Sequence, residues 1–233
     1  MSYGNKEKLS LDLPVVLDRQ FAKRRSEMTA GERRLMYVAM SKIHPDHTDF
    51  RTVVFQKDEY YRLLKDAGIN FKHGTFEDEI KESCDLLLSR VIHIDDGKSW
   101  LGFPLMHDAR FDYETETVTL RFHEHMKPFL LALPGRKGYA KFLLRYGMPL
   151  TSSYASSLYE LFRSYVNEFH TICKYKMTLD EIRDFFELGK KYARYPDLKR
   201  KVIEQARKEI NNKTDLIVTY AENKRRGQGR AVE

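Results

Sequence analysis

"YPDLKRKVIEQARKEINNKTDLIVTYAENKRRGQGR", residues 195–230, changes character twice. Leu198, Val202, Ala206 and Ile210 recur every four residues, the buried stripe of a helix, and Pro196 suits a helix's first turn. From Asp215 to Tyr220 the apolar period becomes two, which predicts a strand. Lys224-Arg225-Arg226-Gly227-Gln228-Gly229-Arg230 then reads as a basic hairpin tip, where glycine allows positive φ and close backbone approach. Helix, strand and glycine-punctuated tip in this order predict a winged helix, with a helix over 196–212.

The outer face of that helix names a partner. At 100° per residue from Leu198, the stripe with Ile203 covers an arc of about 140°, and Arg200, Lys201, Arg207 and Lys208 fall beyond it, together with Glu204 and Asn211. Arg forks onto guanine, Asn pairs with adenine and Lys neutralises phosphate, so this face suits the major groove of double-stranded DNA. Lys190, Lys191, Arg194 and Lys199 surround the helix N-terminus, where the dipole also favours phosphate. Lys224, Arg225, Arg226 and Arg230 at the tip are placed to reach the backbone or minor groove.

The charge balance agrees. Residues 190–233 hold 13 Lys/Arg against 6 Asp/Glu, while residues 1–189 are neutral overall, so the whole excess of +7 lies at one end. That asymmetry calls for a polyanion, nucleic acid or an anionic membrane. A membrane surface would need an apolar face beside the basic one, and the apolar face of this helix is committed to a core. No run approaches the ~20 apolar residues of a membrane span, and the N-terminus lacks a signal peptide's apolar segment. Cys84 and Cys173, far apart, fit two small buried hydrophobes in a reducing cytoplasm rather than a disulfide or zinc framework.

The first half repeats the plan. Leu13–Leu17 reads as a short strand. Thr29-Ala30-Gly31-Glu32 is a capping box opening a helix that His44-Pro45 stops. A strand at 51–55, a helix at 57–66 ending before Gly68, and a helix at 76–90 capped by Thr75 follow. Val91–Ile94 and Trp100–Met106 flank Asp95-Asp96-Gly97 as a hairpin, and Thr117–Phe122 adds a strand. Shifted by 122 positions, Phe76, Ile80, Cys84 and Leu88 fall on Leu198, Val202, Ala206 and Ile210. The expected fold is therefore α+β, two tandem winged-helix domains, divided into 1–133 and 134–233 at Pro134–Gly138. Helices are expected at 140–146 and 154–169, and Thr178–Glu181 is a second capping box.

Arg19, Lys23, Arg24, Arg25, Arg33 and Arg34 form a second basic cluster, with Arg24, Arg25 and Arg33 the expected accessory phosphate contacts. The helix 76–90 is acidic and suits support rather than DNA contact. No P-loop, nucleophile elbow or His-Glu-x-x-His motif occurs, and no cofactor or metal is expected. His44-Pro45-Asp46-His47 reads as a loop. His123-Glu124-His125 is similar to the two-histidine motif of DNA-nicking enzymes, with Tyr61 as nucleophile. Glu124 stands where those enzymes carry a bulky hydrophobe, so no catalysis is expected.

Taken in order, Thr29-x-x-Glu32-Arg33-Arg34-Leu35, Leu86-Leu87-Leu88-Ser89-Arg90-Val91-Ile92, Ser152-Ser153-Tyr154-Ala155-x-x-Leu158-Tyr159-Glu160-Leu161 and Leu179-x-Glu181-Ile182-Arg183 resemble the plasmid replication initiator (Rep) proteins that bind iterons. Tyr195-x-x-Leu198-Lys199-x-x-Val202-Ile203-x-x-Ala206-x-x-Glu209-Ile210-Asn211 extends the resemblance, which covers about 28–230. It implies a non-enzymatic, cytoplasmic origin-binding protein with two winged-helix domains and a sequence-reading helix at 195–213. It also implies dimers through the N-terminal domain that bind an inverted repeat and repress the initiator's own gene, with host replication proteins and chaperones as further partners. Only Ala231-Val232-Glu233 follow the tip here, where the family continues into a returning strand.

Overall fold

The computed structural model describes residues 8–23, 28–43, 52–70, 76–95, 97–131, 138–166, 170–223 and 231–232. β1 (Pro14–Asp18) leads into a short helix α1 (Arg19–Lys23) and then α2 (Ala30–Ser41). The capping box predicted for α2 forms: Thr29 Oγ1 accepts from Glu32 N–H and Glu32 accepts from Thr29 N–H. Glu32 is fully buried, and its carboxylate also receives the Arg90 guanidinium at 2.7 and 3.1 Å. One residue thus caps α2 and ties it to the end of α4 (Phe76–Ser89).

Between these helices lie β2 (Val53–Gln56) and α3 (Lys57–Asp66), which ends before Gly68 at φ +75°. After α4, β3 (Val91–Asp95) and β4 (Trp100–Pro104) pair antiparallel, Ile92 with Phe103, as the predicted hairpin. The next strand was not foreseen: β5 (Met106–Asp112) pairs with β6 (Thr117–Phe122), which pairs with β2 in a three-stranded sheet. Its mixed polar sequence, MHDARFD, hides the period of two because both faces are half-covered. A 3-10 turn (Glu124–Met126) and α5 (Lys127–Leu130) follow. His123 caps that turn, so His123 and His125 do not share a strand face, and the described residues contain no His/Cys/Asp/Glu group able to hold a metal ion.

The expected helix at 140–146 is corrected. Residues Tyr139–Leu143 form β7, antiparallel to β1, and only Leu144–Gly147 turn as a short helix, α6. The alternation of Ala140 and Phe142, both buried, with exposed Tyr139 and Lys141 is the strand signal, and β1 supplies the partner that makes it pay off. A division at 133/134 therefore separates two paired strands. α7 (Ser153–Arg163), shorter than the expected 154–169, also packs against the N-terminal core through Ala155 and Tyr159.

The remaining chain builds a smaller core. β8 (Met177–Thr178) precedes α8 (Leu179–Phe185), opened by the predicted capping box of Thr178 and Glu181. The expected helix 196–212 runs from 195 to 213 in three parts: α9 (Tyr195–Leu198), a π turn (Lys199–Ile203) and α10 (Glu204–Lys213). Such π turns recur at functional sites. Leu198 and Val202 pack with Ile182, Phe186 and Leu188, whereas Ala206 and Ile210 belong to the larger N-terminal core. The π turn sits where the helix passes from one core to the other.

The predicted strand 215–220 is corrected too. Leu216, Val218 and Tyr220 turn inward in alternation, but the segment joins no ladder among the described residues; pairing starts at β9 (Glu222–Asn223), which pairs with β10 (Ala231–Val232), itself paired with β8 on its other side. An extended segment needs a neighbouring strand to become sheet, and here a side chain holds it instead. Cys84 is buried, its thiol pushed up to about 12 by burial and then by Asp85; Cys173 is exposed, against expectation.

Candidate nucleic-acid interface

The helix 195–213 begins at Arg194, which occupies the N-cap in extended conformation, with Pro196 in the first turn. The loop ahead of it is pinned by a residue whose role the sequence did not announce. The Arg183 guanidinium donates to the carbonyls of Lys191, Tyr192 and Ala193, at 3.1, 2.6 and 3.2 Å. Those bonds fix the entry to the helix and leave Arg194 exposed at its N-terminus.

The four-residue stripe is buried completely: Leu198, Val202, Ala206 and Ile210 are each 0% exposed. Arg200, Lys201 and Lys208 are exposed. Arg200 meets Asp197 at 3.3 Å, an exposed i,i+3 pair that solvent screens. Lys201 lies 5.5 Å from the centre of the Tyr192 ring. With Arg194, these are cations free to swing toward a polyanion.

Lys199 and Arg207 are held. Lys199 pairs with Glu222 at 2.6 Å, and that carboxylate raises the pKa of its ammonium. Arg207 pairs with Glu204 at 2.9 Å, and Glu204 also accepts a hydrogen bond from the Tyr220 hydroxyl. Tyr220 first, then Arg207, hold the Glu204 carboxyl below the usual carboxylate range. The two glutamates strap the segment 219–222 to the helix. Glu204 was legible as an acid i,i+3 from Arg207; Glu222 and Tyr220 were not, because they reach the helix only through the fold.

Two expected DNA contacts are corrected. The Asn211 amide is committed at both ends: Oδ1 accepts from Val218 N–H at 2.7 Å and Nδ2 donates to the Val218 carbonyl at 3.1 Å. It takes the place of a neighbouring strand and has no free edge to offer adenine. Arg33 is 6% exposed and pairs with Glu160 at 2.5 Å, beside Tyr37 and Ser157, bridging α2 and α7. Burial alone would lower its pKa; the Glu160 carboxylate and Tyr37 more than offset that, so Arg33 stays charged and internal. Arg34 donates to the Met148 carbonyl and Arg19 to that of Ser164, so much of the first basic cluster is scaffold. Arg24, Arg25, Lys224, Arg225, Arg226 and Arg230 lie outside the described residues, as do His44, His47, Thr75 and Asp96.

The far half of the helix is bolted to α7. The Glu209 carboxylate accepts from Thr151 N–H, Thr151 Oγ1 and Ser152 N–H at 2.7, 2.8 and 3.1 Å. Tyr159 donates to Asp215 at 2.8 Å. The helix 195–213 is thus held by hydrogen bonds at both ends.

Comparison with known proteins agrees with this architecture. Residues 14–163 match the family described as Initiator Replication protein, WH1, and residues 178–233 match Initiator Rep protein, WH2. A PI protein of Escherichia coli is 30% identical over 109 residues, 42% of this chain and 36% of that protein, so the chain spans about a third of that relative's length. The crystal structure of Pi initiator protein in complex with iteron DNA superposes with a TM-score of 0.79 at 18% identity, covering 96% of each chain. With its two cores, its helix 195–213 and both family matches in register along the sequence, the chain belongs to the initiator replication protein family, built from tandem winged-helix domains.

Proposed function

We propose that this chain is a plasmid replication initiator that binds iteron repeats at an origin as double-stranded DNA, laying helix 195–213 in the major groove. One observation carries the reading: the helix buries its whole apolar stripe and exposes Arg200, Lys201 and Lys208 on the remaining surface. The structural neighbour bound to iteron DNA supports the choice of ligand. Arg200 is the guanine reader; Arg194, Lys201 and Lys208 neutralise phosphate. Lys199 and Arg207 act chiefly by holding the segment 219–222 against the helix. The tip cations Lys224, Arg225, Arg226 and Arg230 remain proposed backbone contacts, as do Arg24 and Arg25. The role is binding rather than catalysis, and no helix among the described residues is long and apolar enough to cross a membrane.

Fluorescence anisotropy with duplex DNA from beside the protein's own gene tests this, with scrambled DNA and two salt concentrations as controls. Saturable binding to a single direct repeat, over a salt-dependent background, is expected. Binding confined to an inverted repeat would assign a palindrome-reading dimeric repressor instead. Equal affinity for scrambled DNA would remove sequence reading from the helix.

A further inference from the structure

α2, α7 and α8 each open on a hydroxyl N-cap, but α7 is capped differently from the other two. In α2 and α8 the acid at the third helical position, Glu32 and Glu181, accepts from the backbone N–H of its own cap, Thr29 and Thr178. In α7 the cap is Ser152, and the third position is Ala155, which has no carboxylate to give. Glu209 supplies one from 57 residues further along, accepting from Ser152 N–H at 3.1 Å. It also accepts from Thr151 N–H and the Thr151 hydroxyl at 2.7 and 2.8 Å. The helix that carries the exposed cations thus completes the cap of a helix in the N-terminal core.

The tie is charged and sheltered. The Glu209 side chain is 10% exposed, and Lys213, one turn on, meets it at 2.8 Å while also donating to the Pro149 carbonyl at 3.0 Å. Burial opposes the charge, yet Lys213 and Thr151 hold the Glu209 carboxyl below the usual carboxylate range. On the same half of the helix, Ala206 and Ile210 share the larger core with Ala155 and Tyr159 of α7. Apolar packing of this kind holds two helices together but is not directional. Hydrogen bonds weaken steeply with distance and angle, so those of Glu209 fix how far the helix slides and turns against α7.

We propose that Glu209 is a positioning residue for DNA recognition. By capping α7 from the reading helix, it sets the angle and distance between helix 195–213 and the N-terminal domain. The spacing between the DNA contacts of the two domains then becomes part of what the protein recognises. This rests on the reading above, with Arg200, Lys201 and Lys208 on one stretch of duplex and Arg24 and Arg25 on a neighbouring one. One base pair advances a duplex by about 3.4 Å and turns it by about 35°. A helix tied to the N-terminal core through Glu209 cannot follow that change, whereas one held by apolar packing alone can.

The test measures the penalty for one inserted base pair. Hydroxyl-radical footprinting of the full chain on the native repeat locates the protected stretches, and anisotropy compares that duplex with one carrying a base pair inserted between them. The wild type should lose about tenfold or more on insertion, the cost of about one base pair's contacts. Glu209→Ala should bind the native duplex less tightly, yet lose less than about threefold on insertion. Thr151→Ala, which removes one of the hydrogen bonds and keeps Glu209, should fall between. Arg200→Ala also weakens the native duplex but should keep the full insertion penalty, which separates loosened geometry from weak binding. Thermal melts establish that each variant is folded at the assay temperature; if Glu209→Ala is not, Thr151→Ala decides. The full penalty in the folded variant, a wild type that pays none, or a single protected stretch overturns the proposal alone. A wild type with no preference for the native repeat overturns the DNA reading, and this inference with it.

Discussion

Replacing Glu160 by Gln separates structure from DNA contact at the α2–α7 junction. The Arg33 and Glu160 side chains are 7% and 6% exposed, and Glu160 also accepts from the Tyr37 hydroxyl. Glu160→Gln keeps the shape but leaves a buried guanidinium without its counter-charge, which costs about 3–5 kcal/mol. For a chain of this size that corresponds to a fall in Tm of roughly 6–20 °C. The double variant Arg33→Met/Glu160→Leu removes both charges together and should recover part of the loss, because buried pairs replaced by apolar residues are often neutral or better, while the buried Tyr37 hydroxyl loses its acceptor. Thermal melts by circular dichroism read the stability, and anisotropy against salt reads the DNA contact. A phosphate-binding arginine would take about 0.9 from the salt slope when removed. The folded double variant should keep the wild-type slope. A single variant losing under about 1 kcal/mol, the low end for losing any partner of a buried polar group, would refute the buried pair. A double variant with a flattened slope would return Arg33 to the DNA surface.

Arg200→Ala should cost about 1–3 kcal/mol on the cognate repeat and relax discrimination at one base position, read by competition with single-base variants. Lys208→Ala should weaken cognate and scrambled DNA alike and lower the salt slope by about 0.9. Asn211→Ala strands the Val218 N–H and C=O and should destabilise by about 1–3 kcal/mol in urea melts, while the folded fraction keeps its base preference; a changed preference would make Asn211 a reader after all. Glu204 has a depressed folded-state pKa, so its contribution is present above the ordinary carboxylate pKa and is lost as pH falls through the depressed value. Glu204→Gln should therefore flatten the acid side of the Tm-against-pH curve, and an unchanged acid limb would show that the strap is dispensable. Thr178→Ala should cost about 1 kcal/mol through the lost cap on α8, visible in chemical denaturation.

Local rules were legible wherever the signal stayed within a few residues. The capping boxes at Thr29 and Thr178, the hairpin around Gly97, the stop at Gly68 and the stripe from Leu198 to Ile210 each need only neighbours in sequence, and each forms. The helix 195–213 that the charge asymmetry singled out forms for the same reason, since a helix's faces follow from its period alone. What tertiary structure decided was the partner of each side chain. Tyr139–Leu143 became a strand because β1 lay beside it, 121 or more positions away in the chain. Asp215–Tyr220 kept its alternation but found the Asn211 amide where a strand would have been. Arg33 and Arg200 look alike in sequence, each in a basic run on a helix. One faces a buried carboxylate on α7 and the other faces solvent, and only packing distinguishes a scaffold cation from one available to DNA. Helical period and turn chemistry are properties of a short stretch of chain; burial and counter-charge depend on which distant stretch the fold brings alongside.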